Sequence, residues 1–362
     1  MKCRLLYLVG QLSPGGQERQ LSYLLRAMDR ERYRPEVVVW NFREDDMHVP
    51  RIRALHIPLH SLSGSHSGIA KLGAFRQLVL RLKPEVVHSY SFYTNFAVWW
   101  ATVGTKVIPI GSIRQDFINE RREAGMVLGT LSARLPAAHI SNNLAAKNTV
   151  ERSASISKPT RVYLVRNAVD CDQFKFRPLP LDGPSLIAVV RLYREKRWDR
   201  LLKCVAVVAA SGLYLSVRLV GEGPLRNELK SQARHLGLNG LVQFLGHQDN
   251  ISALLEDSTF LAHTADEEGC PNAVMEAMAC GRAVVATDAG DIPSLVEDEK
   301  TGFVVARGDD AKLVERLVTL ITNRDLCCRM GEAARAKAER QFGLDRLVNE
   351  TLDAYERAGW SR

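Results

Sequence analysis

The amino-acid sequence predicts an α/β protein of two doubly wound, Rossmann-like domains, and three observations carry that prediction. Short apolar runs alternate with helical patterns from one end of the chain to the other. The alternation restarts after a Pro-rich stretch, FKFRPLPLDGP at 174–184, which reads as a linker. A chain of 362 residues is also too long for one ordinary domain of roughly 150.

In the first half, the runs 4–10, 35–40, 84–90 and 107–113 predict parallel strands, being short, apolar and rich in β-branched residues. Between them, 18–28 sets Leu21, Leu24, Leu25 and Met28 on one helical face, and 68–83 does the same with Ile69, Leu72, Phe75, Leu78, Val79 and Leu82. In the second half, 185–192, 214–221, 241–246, 258–264, 283–288 and 302–306 predict strands. WDRLLKCVAVVAA, LRNELKSQARHLG and NAVMEAMACG supply helices between them, and the tail from AKLVERLVTLITN onward is strongly helical. Open sheets of this kind bind ligands beyond the carboxyl ends of their strands, so two facing halves predict a cleft as the site.

Composition narrows the function. At 46% hydrophobic and 25% charged residues, the chain is of the globular class. No apolar run approaches the ~20 residues of a bilayer span. The start, MKCRLLYLVG, is basic, but its apolar stretch is short for a signal core and suits a first buried strand. Seven cysteines show neither C-x-x-C nor metal-ligand spacing, which fits reduced thiols in a cytoplasmic protein. Residues 1–165 hold 23 Lys/Arg against 12 Asp/Glu, whereas the remainder holds 26 against 29. The whole basic excess thus lies in the first half, which favours an anionic partner or is simply a soluble basic face. No nucleic-acid-binding module accompanies it.

Three motifs carry chemistry. In S-P-G-G-Q-E-R, Gly15 and Gly16 make a tight turn between the first strand and first helix, where a helix N-terminus favours a diphosphate. In R-L-Y-R-E-K, Arg191 and Lys196 straddle a strand end as two cations able to neutralise a departing diphosphate. Gly221 and Gly223, in V-G-E-G-P, form another strand-end turn, either shaping the site or purely structural. The sharpest signal is E-E-G-C-P-N-A-V-M-E, where Glu268 and Glu276 have seven residues between them, around a turn that runs into a helix. Carboxylates so placed can grip sugar and ribose hydroxyls.

The ordered set G-G-x-E, P-E-V-V-H, V-R-N-A-V-D, R-L-x-x-E-K, V-G-E-G-P, E-G-C-P-N-A-V-M-E-A-M-A-C-G and A-T-D-A-G-D-I-P spans about 15 to 305. It resembles the family-4 retaining glycosyltransferases of the GT-B fold. The resemblance implies that Gly16 meets the donor diphosphate together with Arg191 and Lys196. It implies that Glu268 lies at the donor hexose and Glu276 at the ribose, with amides of Gly269, Cys270, Pro271–Asn272 and Ala273 along sugar or phosphate. Phe244 and its neighbours would help select the base. It further implies an acceptor-binding domain at 1–170, a donor-binding domain at 171–340, and a final helix at 341–362 that returns to the first domain.

The chain departs from that pattern in places. Arg114 stands where many members have a His; it cannot act as a base, but it can hold an anionic acceptor or a sugar carboxylate, or form a salt bridge with Asp116 or another neighbour. Ser294 replaces a usual carboxylate, and Val190 a usual Gly. The D-x-D string at 170–172 lies far from any phosphate motif and reads as chance. His88 ends a strand and either contacts acceptor or is a hydrogen-bonded structural residue. Arg121, Arg122 and Arg134, beside apolar residues in 118–136, make that stretch the candidate for acceptor or inner-membrane contact.

The expected reaction is retaining transfer of a hexosyl group from a UDP- or GDP-sugar to an acceptor hydroxyl. Glu268, Arg191 and Lys196 are its catalytic candidates, and neither metal nor cofactor is required. The expected acceptor is a saccharide or lipid-linked saccharide in polysaccharide synthesis. A non-catalytic nucleotide-sugar-binding partner and a phosphorylase of the same fold are the alternatives.

Overall fold

A computed structural model of the chain describes residues 3–62, 64 and 67–361; Met1 and Lys2, the basic start, lie outside them. It divides into two compact units, one of Met1–Ala168 with Leu344–Arg362, the other Val169–Gly343.

The first unit is built on seven parallel strands: β1 (Cys3–Val9), β2 (Tyr33–Val39), β3 (Leu59–Ser61), β4 (Val86–Ser89), β5 (Ile108–Ile113), β6 (Ala138–Ser141) and β7 (Val162–Leu164). They are ordered β3-β2-β1-β4-β5-β6-β7, so the order reverses between β1 and β4. β1 is continuous in apolar residues because both of its faces are covered. Leu5, Tyr7 and Val9 point to a core shared with Leu21, Leu24 and Leu25 of the helix Gly16–Ala27. Leu6 and Leu8 point the other way, onto Phe75, Leu78 and Val79 of the helix Gly68–Leu82. The C-terminal helix Leu344–Arg357 belongs to the first of these cores through Leu347, Val348, Leu352 and Tyr355. Each such fully buried side chain contributes roughly 1.5–3 kcal/mol.

The second unit holds six parallel strands: β8 (Ser185–Val189), β9 (Ser216–Val220), β10 (Val242–Gly246), β11 (Phe260–His263), β12 (Ala283–Thr287) and β13 (Gly302–Val305). Their order is β10-β9-β8-β11-β12-β13, reversing between β8 and β11. Helices Trp198–Ala210 and Asp310–Thr322 cover one face and Asn272–Ala279 the other, while Arg324–Gln341 gives Cys327 and Met330 to the first core and Ala334 and Ala338 to the second.

One sequence expectation needs correction. The Pro-rich stretch 174–184 is no linker; it lies inside the second unit. Phe174 and Leu179 are buried there. Arg282 and Arg324 donate to the carbonyls of Arg177, Leu179 and Pro180, satisfying a backbone that no strand ladder engages. The basic stretch 118–136 forms two short helices, Phe117–Glu123 and Met126–Arg134, broken at Gly125 with φ +82°.

Candidate active site

In the second unit β8 and β11 are neighbours, so the loops leaving their carboxyl ends lie side by side at the reversal of strand order. The β8 loop carries Arg191 and the single turn Arg194–Lys196; the β11 loop carries Asp266 to Pro271. Lys196 Nζ donates to Glu268 Oε2 at 3.0 Å and to the Glu267 carbonyl at 2.9 Å. His263 Nε2 lies 3.0 Å from the same carboxylate oxygen, and Oε1 accepts the Gly269 amide at 3.2 Å. Burial opposes ionisation of Glu268, but His263 and Lys196 outweigh it and hold the carboxyl down at about 2. Glu268 is therefore an anion at neutral pH, able to accept hydrogen bonds and unable to donate a proton.

A second tier of ion pairs fixes these loops. Arg197, in a left-handed backbone conformation, joins Asp199 at 3.0 Å and Asp266 at 2.6 Å, and Arg200 meets Asp266 at 2.7 Å. Arg191 differs: its exposed guanidinium stacks 5.3 Å from the Tyr193 ring centre, and no carboxylate pairs with it among the described residues. Gly221 and Gly223 explain themselves as close approaches. A Cβ on them would lie 2.0 Å from the Val190 carbonyl oxygen and 2.5 Å from that of Leu192, so both glycines seat the turn that presents Arg191.

The helix Asn272–Ala279 starts directly after the Glu268 loop. It buries Glu276, leaves Asn272 half-exposed, and has Cys270, Pro271 and Ala273 buried at its start. Its first amides have no intrahelical acceptors. Gly290 packs on the Glu268 carbonyl, and the Asp291 amide donates to the Gly269 carbonyl at 3.0 Å, so the turn leading into the short helix Ile292–Leu295, which holds Ser294, braces the glutamate loop. Phe244 is half-buried on β10, away from this cluster, and packs against the sheet core. Asp170 of the D-x-D string accepts the amides of Asp172 and Gln173, a turn within the chain.

In the first unit, Gly15 is the N-cap of the helix Gly16–Ala27 and the Glu18 carboxylate packs against it. His88 is buried in β4, its Nδ1 2.7 Å from the Tyr355 hydroxyl and its Nε2 3.2 Å from Ser112 Oγ. Burial, with Arg114 and His139 nearby, drives its pKa well below the usual histidine value. Both ring nitrogens are engaged by the protein, so the geometry favours the structural reading of His88 over an acceptor contact.

The ion pair with Asp116 anticipated for Arg114 does not form: Asp116 caps the amides of Ile118 and Asn119 instead. Arg114 is buried, its guanidinium 4.5 Å from the Tyr90 ring centre and 3.2 Å from Ser112 Oγ. Glu120 accepts the Arg114 backbone amide at 3.1 and 3.2 Å, and burial pushes its pKa up to about 8. Arg121 bonds Ser155 and Thr130, and Arg122 bonds Asn119. Ile118, Met126, Val127 and Leu128 stand exposed beside them.

Sequence reasoning missed His263, Ser112, Tyr90, Glu120 and Tyr355. Only His263 left a local signal, a polar residue closing an apolar strand just ahead of the Glu268 loop.

Residues 171–337 match the family model of Glycosyl transferases group 1, and residues 15–139 that of the Glycosyl transferase 4-like domain. The putative colanic acid biosynthesis glycosyltransferase WcaL of Escherichia coli is 30% identical over 194 residues, 50% of this chain and 48% of that protein. The N-acetyl-alpha-D-glucosaminyl L-malate synthase of Bacillus anthracis is 28% identical over 170 residues, 47% and 44% of the two chains. The chain thus spans about half the length of these curated relatives. Among solved structures, Anabaena HepE in complex with UDP-glucose superposes with a TM-score of 0.82 at 20% identity, covering 98% of this chain and 99% of that one. Sucrose-phosphate synthase from Thermosynechococcus elongatus gives 0.81 at 16% identity, covering 98% and 99%. At such identities these likenesses are of fold. The chain thus shares its fold with GT-B structures, and its two halves match, in chain order, the Glycosyl transferase 4-like domain and the Glycosyl transferases group 1 models.

Proposed function

We propose that this chain transfers a hexosyl group from a UDP- or GDP-sugar to an acceptor hydroxyl, with retention at the anomeric carbon and without a metal. The observation that carries the reading is the Lys196–Glu268–His263 cluster at the reversal of strand order, with the unpaired Arg191 on the adjoining turn. HepE, crystallised with UDP-glucose, and relatives named for polysaccharide synthesis support a UDP-sugar donor and a glycan product.

The charges suit the chemistry. As the anomeric C–O bond breaks, negative charge grows on the departing diphosphate, and Arg191 with Lys196 neutralises it. Glu268, ionised, accepts hydrogen bonds from the hexose hydroxyls, and Glu276 those of the ribose. The acceptor hydroxyl attacks from the leaving-group face and passes its proton to the departing phosphate oxygen. Gly15 and Gly16, at the start of the helix Gly16–Ala27, suit contact with a diphosphate. Amides of Gly269 to Ala273 line the donor, and Phe244 bears on the base.

The acceptor, a saccharide or lipid-linked saccharide, docks on the first unit near Arg114, Arg121 and Arg122. The exposed Ile118, Met126, Val127 and Leu128 beside these arginines suit peripheral contact with an anionic cytoplasmic membrane face. No helix among the described residues is long and apolar enough to cross a membrane.

A donor screen with UDP-, GDP-, ADP- and dTDP-sugars tests the reading, following released nucleotide and thermal shift for wild type and Glu268→Ala. Release from one donor, lost in the variant, is the expected result. Stabilisation without release under any acceptor mixture would favour the non-catalytic binder, and no response to any donor would refute the proposal.

A further inference from the structure

We propose that the first unit contains a binding subsite for one small oxyanion, a carboxylate or phosphate group, built around the guanidinium of Arg114. Only the assignment of that anion to the acceptor rests on the glycosyltransferase reading. Arg114 is the first residue beyond β5, at the carboxyl edge of the sheet, where open α/β sheets take ligands. The side chain is only 7% exposed. Its contacts are all to neutral groups: Ser112 Oγ at 3.2 Å and the Tyr90 ring at 4.5 Å. Its Nε is buried with no hydrogen-bond partner. No carboxylate forms an ion pair with this guanidinium among the described residues.

The two acidic groups close to it in sequence are committed elsewhere. Asp116 caps the next helix, and Glu120 binds the backbone amides of the Arg114 turn. His88, bonded to Ser112 and Tyr355, is held in its neutral form and supplies no charge of either sign. Glu120 is near enough to feel the Arg114 charge, but burial pushes its carboxyl up to about 8, and a buried, always charged arginine that forms no ion pair is among the costliest arrangements a protein core can hold. An anion brought by a ligand would supply the missing charge, and the guanidinium fork matches carboxylate and phosphate oxygens.

The surroundings are polar enough to seat such a group. Asn142 and Asn143, following β6, lie next to this edge. Asn143 Nδ2 donates to the Arg114 carbonyl at 3.4 Å and to Asn142 Oδ1 at 3.1 Å; Asn142 Nδ2 donates to Asn167 Oδ1 at 3.2 Å. All three asparagines are buried. Within the proposed reaction this makes the acceptor an anionic molecule, and makes Arg114 a residue that selects for it.

The test uses the full chain with arginine labelled in nitrogen-15, so that the Arg114 Nε–H resonance, identified by its loss in Arg114→Lys, reports directly on the site. Sodium phosphate and sodium acetate are titrated separately at constant ionic strength. A saturable shift of that resonance is expected, with a rise in Tm that Arg114→Gln abolishes and Arg114→Lys weakens ~10-fold or more. The shift should persist in Lys196→Ala, whose change lies in the other unit. Tighter response to phosphate identifies a phosphorylated acceptor; tighter response to acetate identifies a carboxylate. No saturable shift in wild type with either anion, or an equal Tm response in Arg114→Gln, overturns the subsite. Should Arg114→Gln not fold, the wild-type resonance still decides. UDP and GDP binding in the same samples separates the two readings. A nucleotide that binds while Arg114 stays silent sinks the subsite alone, and a responding Arg114 without any nucleotide binding sinks the glycosyltransferase reading alone.

Discussion

Glu268, in a loop of the second unit, and Glu120, in the helix Phe117–Glu123 of the first, are both largely withdrawn from water, and they are shifted in opposite directions. Glu268 of the second unit is held at about 2, and Glu120 of the first is raised to about 8. Burial opposes the charge at both. The difference lies in the company: Glu268 touches Lys196 and His263, whereas Glu120 touches backbone amides, with the Arg114 guanidinium turned to Ser112 and Tyr90. In the second unit Lys196, Arg197 and Arg200 all have acidic partners, and Arg191 alone of the cations considered there is left available. In the first unit the buried cation lacks a counter-ion. A site that supplies its own counter-charges is pre-organised around hydroxyls, and one that withholds them waits for a charged ligand.

The largest expected effect breaks the second unit's side of this comparison. Glu268→Ala and Lys196→Ala should each lower kcat with the preferred donor by ~100-fold or more, measured as nucleotide release, while circular dichroism stays unchanged. Gly223→Ala should destabilise the chain by roughly 1–3 kcal/mol in urea unfolding and weaken donor binding, because its Cβ meets the Leu192 carbonyl and displaces the Arg191 turn.

The two glutamates should also separate by pH. The folded-state pKa of Glu268 is depressed, so its contribution is present above the ordinary carboxylate range and is lost as pH falls toward about 2. That of Glu120 is raised, so its contribution is complete below the ordinary carboxylate range and is lost as pH rises toward about 8. Glu120→Gln should therefore flatten the decline of Tm on the alkaline side and leave the acid limb untouched; an unchanged alkaline limb would assign that decline to other groups. The smallest effect is expected at the surface: Met126→Asp with Val127→Asp should reduce sedimentation with phosphatidylglycerol vesicles without altering turnover on a soluble acceptor.

Much of this was legible in the sequence, and unevenly. All six strands of the second unit fall within the runs marked in the sequence, β9 and β10 despite Arg218 and Gln243 interrupting them. In the first unit, β3, β6 and β7 escaped notice. LHS and VYL are three residues each, and AHIS buries His139 and Ser141 in a central strand, so no hydrophobic run marks them. The glutamate loop and the Arg191–Lys196 turn were legible as motifs at strand ends, which the family resemblance singled out. The surroundings of His88 and Arg114 could not, because they are assembled by topology: Tyr355, bonded to His88, is 267 residues away in the chain. A sequence shows which side chains are charged, and only the fold shows which of them lack a counter-charge.

The central claim is that the second unit grips a nucleoside diphosphate through charge, and calorimetric titration of UDP against uridine, with GDP against guanosine in parallel, tests it most directly. One diphosphate should bind at least ~100-fold more tightly than its nucleoside, and the double change Arg191→Ala with Lys196→Ala should erase most of that difference. If neither diphosphate outbinds its nucleoside, or if the double variant keeps the full preference, the account of this site is wrong.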